Sequence, residues 1–162
     1  MAREFQNQFP FPGRVEWIGL RPARGQPMVV VPAAEVSVAS GLHGDFFRGT
    51  PSAPRQVTLI QAEHLEVIGT LLKQAPIDPA LTRRNIVVSG INLKALLDTT
   101  FQIGTAILKT TGDCAPCGQM EENLGPGGYN AMRTHGGITA CVVQDGHIQV
   151  GDQVFPCLLP SS

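Results

Sequence analysis

A chain of 162 residues is long enough for one domain with a substantial core. Its composition is lightly charged, and 12 Lys+Arg against 13 Asp+Glu leave a net charge of −1, which excludes bulk attraction to nucleic acid or to an acidic membrane surface. No apolar run reaches the roughly 18 residues that a membrane-crossing helix needs.

The 18 Gly and 13 Pro are spread along the chain and suit many short strands joined by tight turns. Four cysteines in a chain of this size do not read as a disulfide scaffold, so reduced thiols and a cytoplasmic location are expected.

Met1 to Gly13, with Pro10 and Pro12, reads as a loosely held arm without the apolar segment of a secretory signal. Residues 14–159 are then expected to form a single domain. The first strand is Arg14 to Leu20, with Val15, Trp17 and Gly19 on one face and Glu16 and Ile18 on the other. Pro22 to Pro27 is a turn, and Met28 to Val31 and Glu35 to Ala39 are two short strands. Gly41 to Gly49 contains Gly44 and Asp45 in a loop whose backbone could wrap a ligand, although its glycines alone need only satisfy turn geometry. Phe46 and Phe47 are adjacent, so one could be left exposed as a stacking face.

Arg55 to Ile60 reads as a strand. Gln61 to Gln74 is the clearest helix, burying Leu65, Ile68, Leu71 and Leu72 and stopped by Pro76. His64 on it is assigned to the surface. Asp78 and Pro79 supply an N-cap and a first helical residue for a single turn. Asn85 to Ser89 is a strand, Leu93, Leu96 and Leu97 mark a helical turn, and Phe101 to Lys109 is read as one strand. After a short piece from Tyr129 to Thr134, Ile138 to Val143 is a strand, Asp145-Gly146 signals a hairpin back through Val150, and Gln153 to Leu159 closes the fold. Cys141 and Cys157 are assigned to the core.

The stretch Thr110-Thr111-Gly112-Asp113-Cys114-Ala115-Pro116-Cys117-Gly118-Gln119 carries the chemistry. Gly112 and Pro116 force a turn before a helix at Gln119 to Leu124, which puts the thiols on a loop at a helix start, where unpaired N–H groups favour an anion. Cys117 is therefore a candidate nucleophile or soft-metal ligand. A packed cysteine pair is the plainer alternative. A zinc site would need Cys141 and Cys157 at no familiar spacing. Thiol–disulfide exchange by Cys114 and Cys117 is a third, but the βαβ surroundings usual for it are missing.

Six segments follow one another in an order that resembles the MOSC family, the domain at the C-terminus of molybdenum-cofactor sulfurases that also occurs as small bacterial proteins. They are Gly41-Leu42-His43-Gly44-Asp45, Arg55 to Ile60, Arg84 to Leu93, Phe101 to Ala106, Thr111 to Cys117 and Gly146 to Asp152. The resemblance covers about Val15 to Val154. It implies a mainly β fold, a closed and mostly antiparallel barrel with a few peripheral helices. It also implies molybdenum cofactor (molybdopterin) binding or sulfur transfer, in some small members with reduction of N-hydroxylated bases.

By the same resemblance, Cys117 matches the family's hallmark cysteine and would be the metal ligand, with Cys114 beside it as a second catalytic candidate. Arg55, Arg84, Asn85, Gly44 and Asp45 would hold the cofactor, an arginine fork suiting its phosphate. A persulfide donor and a partner reductase or sulfurase are the implied partners. The sequence departs from the family where Phe46 and Phe47 replace a basic residue and a histidine, which removes a cation and a proton donor from inherited reductase chemistry. A non-catalytic cofactor-binding module is the remaining alternative.

Overall fold

The computed structural model describes residues 2–47, 49–51 and 53–157. After a helical turn at Ala2–Phe5 (α1), the strands are Gly13–Leu20 (β1), Val29–Val31 (β2), Ala33–Ser37 (β3), Gly41–Leu42 (β4) and Val57–Gln61 (β5). Helices Ala62–Leu71 (α2) and Pro79–Thr82 (α3) lead to Ile86–Ser89 (β6), and a 3-10 turn at Leu93–Leu96 leads to Thr100–Ile103 (β7) and Ala106–Asp113 (β8). Helices Gly118–Leu124 (α4) and Gly128–Met132 (α5) precede Ile138–Gln144 (β9), Gly146–Gln149 (β10) and Gln153–Pro156 (β11).

Strands β11, β7, β8, β9, β5, β6 and β1 pair in that order, and β1 pairs back to β11, closing a seven-stranded barrel. Every pairing around it is antiparallel except β5 with β6, which α2 and α3 connect. That parallel pair is covered on both faces, so its sequences Val-Thr-Leu-Ile-Gln and Ile-Val-Val-Ser are apolar without strict alternation. Leu59, Ile86 and Val88 face the barrel interior, while Ile60 and Val87 face a second cluster with Leu65, Ile68, Met120, Leu124 and Met132 under the helices. A smaller sheet of β10, β3 and β4 lies alongside.

Four expectations are corrected. The pairing of β1 with β6 shifts register between Val15 and Trp17, so the extra residue Glu16 turns Ile18 into the interior and leaves Trp17 against the outer cluster. Phe101 to Lys109 is a hairpin, turning at Gly104 with φ 57°. A side chain there would lie 2.3 Å from the His147 carbonyl, so only glycine fits.

Asp145-Gly146 does not fold β10 back onto β9; β10 pairs with β3, because Val38 N–H donates to Asp145 Oδ1 (2.7 Å) and draws the turn to that sheet. Helix α2 ends before Pro76: Lys73 takes φ 55°, and Leu71 is left 59% exposed while Leu72 is half-buried. Cys141 is buried in β9, and Cys157 is half-buried. The expected closing segment 158–159 lies outside the described residues.

Candidate functional site

Strand β8 delivers the chain to Asp113, and Cys114 N–H donates to the Gly137 carbonyl (2.9 Å), tying the thiol loop to the start of β9. Cys114 is 1% exposed, whereas Cys117 is exposed and caps α4 in extended backbone. The loop is thus anchored at one cysteine and open at the other.

Arg84 is the anchor from beneath. It is 3% exposed, and its Nε donates to the Gly136 carbonyl (2.8 Å), Nη1 to Thr82 (3.0 Å), and Nη2 to Cys114 (3.0 Å) and Ala115 (3.3 Å). Four of the guanidinium's N–H groups are spent on backbone, leaving one for the cleft above. Gly136 permits this closeness, since a Cβ there would fall 2.1 Å from the Cys114 carbonyl. Arg55 Nη2 lies 3.6 Å from Cys114 Sγ.

Asp45 and Asn85 act one step away. Asp45 Oδ1 accepts from Arg21 N–H (2.8 Å) and Nε (3.2 Å), and Oδ2 accepts from Arg21 Nη2 (3.0 Å), a fork that fixes that guanidinium. Asn85 is fully buried; its Nδ2 donates to Asp45 Oδ1 and the Gly19 carbonyl, and its Oδ1 accepts from Thr58 (both 3.1 Å). Gly44, at φ 93°, is the exposed bend that brings Asp45 round to Arg21.

Above the loop lies a cleft of about 260 Å³ whose lining includes Arg21, Arg24, Arg55, Arg83, Arg84 and Cys117, with Phe46 at its side. Among the described residues, Asp45 is the one carboxylate hydrogen-bonded to an arginine of this set, Arg21. Burial pushes the Arg84 guanidinium below its ordinary range, with Cys114 and Cys117 opposing this and the Arg55 and Arg21 charges adding to it; burial and then Arg21 act likewise on Arg83, which Asp45 partly opposes. An incoming anion would relieve this crowding.

Arg21, Arg24 and Arg83 were not singled out from the sequence. The signals were there: Arg21 and Arg24 flank a Pro-Ala turn, and Arg83 precedes Arg84 in left-handed backbone (φ 59°) at the end of α3. His43 is exposed, and neither it nor His135 lines the cleft. His135 stacks edge-on with a half-buried His64 (5.0 Å), and His147 pairs with Glu35 (2.8 Å). Among the described residues there is no cluster of three His, Cys, Asp or Glu able to hold a metal. No helix among them is long and apolar enough to cross a membrane.

Residues 44–155 match the MOSC domain. Solved structures share the fold. The YUAD protein from Bacillus subtilis superposes with TM-score 0.78 at 19% identity, over 89% of this chain and 94% of that one. YiiM from Escherichia coli gives 0.70 at 18% identity, over 94% and 73%, and YiiM from Geobacillus stearothermophilus gives 0.71 at 16%, over 91% and 76%. No curated protein matches the chain.

Proposed function

The chain belongs to the MOSC domain family, and on that premise we propose that it binds a molybdopterin-type cofactor through Cys117. One observation carries the reading: a single exposed thiol opens onto a cleft whose lining bears five arginines. The donor set suits the group. A thiolate is a soft ligand for a sulfur-rich metal centre, and arginine forks suit a phosphate.

When bound, the cofactor would supply a molybdenum centre able to exchange electrons with a substrate, N-hydroxylated compounds being the class the family implies. The chain's own residues bind and orient. Cys117 supplies the protein ligand, Arg24, Arg55 and Arg83 face the anion, and Arg21 is held ready by Asp45. Arg84 keeps the loop in place from below with its four backbone bonds.

Sulfur carriage on Cys117, from a persulfide donor to a partner sulfurase or reductase in the cytoplasm, is the second reading, favoured by the exposure of that thiol. Exchange by both thiols is disfavoured, since it needs both sulfurs within reach and Cys114 is 1% exposed.

Protein from a host that makes the cofactor should contain molybdenum and the fluorescence of oxidised pterin. Cys117→Ser should lose both with its melting temperature nearly unchanged, and Cys114→Ser should retain them. A wild-type protein without either, but with a sulfur-loaded Cys117, would move the assignment to sulfur carriage. An unfolded Cys117→Ser would make the cysteine structural.

A further inference from the structure

His64 on α2 and His135 beyond α5 are both half-buried, and their rings meet edge-on with centroids 5.0 Å apart. Neither lines the cleft that holds Cys117. The chain beyond His135 nevertheless reaches the thiol loop. Thr134 is left-handed (φ 67°), His135 N–H donates to the Met132 carbonyl (2.8 Å), and His135 Nδ1 lies 3.3 Å from the Ala131 carbonyl, so the residue is fixed to the end of α5. The next two carbonyls hold the site: Gly136 accepts from Arg84 Nε (2.8 Å), and Gly137 accepts from Cys114 N–H (2.9 Å). A Cβ at Gly136 would run into the Cys114 carbonyl, and one at Gly137 into the Leu59 carbonyl, so this two-residue strap lies flush against the loop and β5. A cavity of about 250 Å³ opens beside it, with Lys94, Asp113, Cys114, Arg133 and Gly136 in its walls. Slack in the strap therefore exposes Cys114, which is otherwise 1% exposed.

Positive charge prevails around the two rings. Lys94 of the 3-10 turn acts on His64 and also reaches Asp113 (3.7 Å), while the exposed Arg133 stands two residues before His135. Glu63 is the carboxylate acting on His64, and its oxygens already accept from Gly90 N–H (3.2 and 3.3 Å) and Gln61 Nε2 (3.0 Å). Burial, then His135 and Lys94, accordingly hold the His64 imidazole below its ordinary range, against Glu63. Neutral rings stack without penalty. Two imidazolium rings at this separation repel each other, and Lys94 adds to the repulsion.

We propose that His64 and His135 form a proton-operated latch on the thiol loop: the neutral pair holds the Gly136-Gly137 strap down, and protonation drives the rings apart, slackens the strap and uncovers Cys114. A pair that favours its neutral state keeps the latch closed at neutral pH and opens it as pH falls below about 6.5. Nothing in the latch depends on what Cys117 binds.

The test is labelling of the purified full chain with 4,4′-dithiodipyridine, which reacts with thiols in acid as well as at neutral pH. Peptide mass spectrometry then compares Cys114 with Cys141, which is buried in β9, so that the ratio cancels both the reagent's own pH dependence and global unfolding. From about pH 7.5 to about pH 5.5 the ratio should rise about twofold in the wild type, as the rings take up protons. It should stay flat in His64→Gln and in His135→Phe, which keeps an aromatic ring beside His64 but does not titrate. Lys94→Met leaves both rings in place and removes a repelling cation, so it should move the midpoint of the rise to higher pH, which a purely packing role of the rings would not do. A flat ratio in the wild type, a rise that both histidine variants keep, or a midpoint unmoved in Lys94→Met would overturn the latch.

Discussion

The barrel interior and the arginine-lined rim solve opposite problems with neighbouring residues. Inside, Val15, Ile18, Leu59, Phe101, Leu108 and Ile138 are all at 0% exposure, and their contribution is burial of apolar surface. At the rim, one exposed thiol and five arginines share a single cleft, a concentration of positive charge that suits an anion. The two regions touch at Arg84, whose carbon stem and charge are buried like core but whose bonds hold the thiol loop. A site can thus be strained by charge because the strands below it are closed and apolar.

The strongest test of that division is Phe101→Ala. It should cost about 3–5 kcal/mol by urea denaturation, since a fully buried ring leaves a cavity. In the fraction still folded, the rate of Cys117 alkylation should be unchanged; a changed rate would join the two regions.

Next comes Arg84→Met, which strips donors from four carbonyls and should cost about 2–3 kcal/mol. Its distinguishing signature is alkylation of the normally buried Cys114, read by mass spectrometry, with Arg84→Lys giving partial protection. A stable variant with Cys114 still protected would show that the clamp is dispensable.

Arg55→Ala should move stability by less than about 0.5 kcal/mol, because its side chain is exposed. It should weaken phosphate binding about tenfold, the worth of one charge-assisted hydrogen bond. A large loss of stability instead would return Arg55 to the structural side of the comparison.

The smallest effect belongs to His64, whose pKa is lowered by burial first, then by His135 and Lys94, against Glu63. Its folded pKa lies below the unfolded value, so the unfolded chain binds more protons and stability falls as pH drops below about 6.5. His64→Gln should flatten that slope by no more than about 0.5 kcal/mol after solvent screening. A slope unchanged in the variant would assign the acid sensitivity to another group.

Local chemistry was legible in the chain. The Asp78-Pro79 start of α3, the thiols at the beginning of α4, and the order of segments that placed the chain among MOSC barrels each depend on neighbours in sequence. The hairpin at Gly104 was hidden because Ile103 and Ala106 read as one apolar run, and a glycine between them does not announce which carbonyl it must clear. The β1 bulge was hidden likewise, since a single added residue is visible only against its partner strand.

The sequence by itself determined a mainly β chain with a thiol loop opening a helix, because those features follow from backbone preference and spacing. The tertiary structure alone decided which arginines face that thiol. Arg21 comes from the end of β1, Arg24 from the following turn, Arg55 from the approach to β5 and Arg83 from the end of α3, and the side-by-side pairing of β5, β6 and β1 brings segments so far apart in sequence into one cleft. It also decided that Arg84 and Asn85, adjacent to Arg83, would turn inward to backbone and to Asp45, since burial forces a polar group to find partners where it lands.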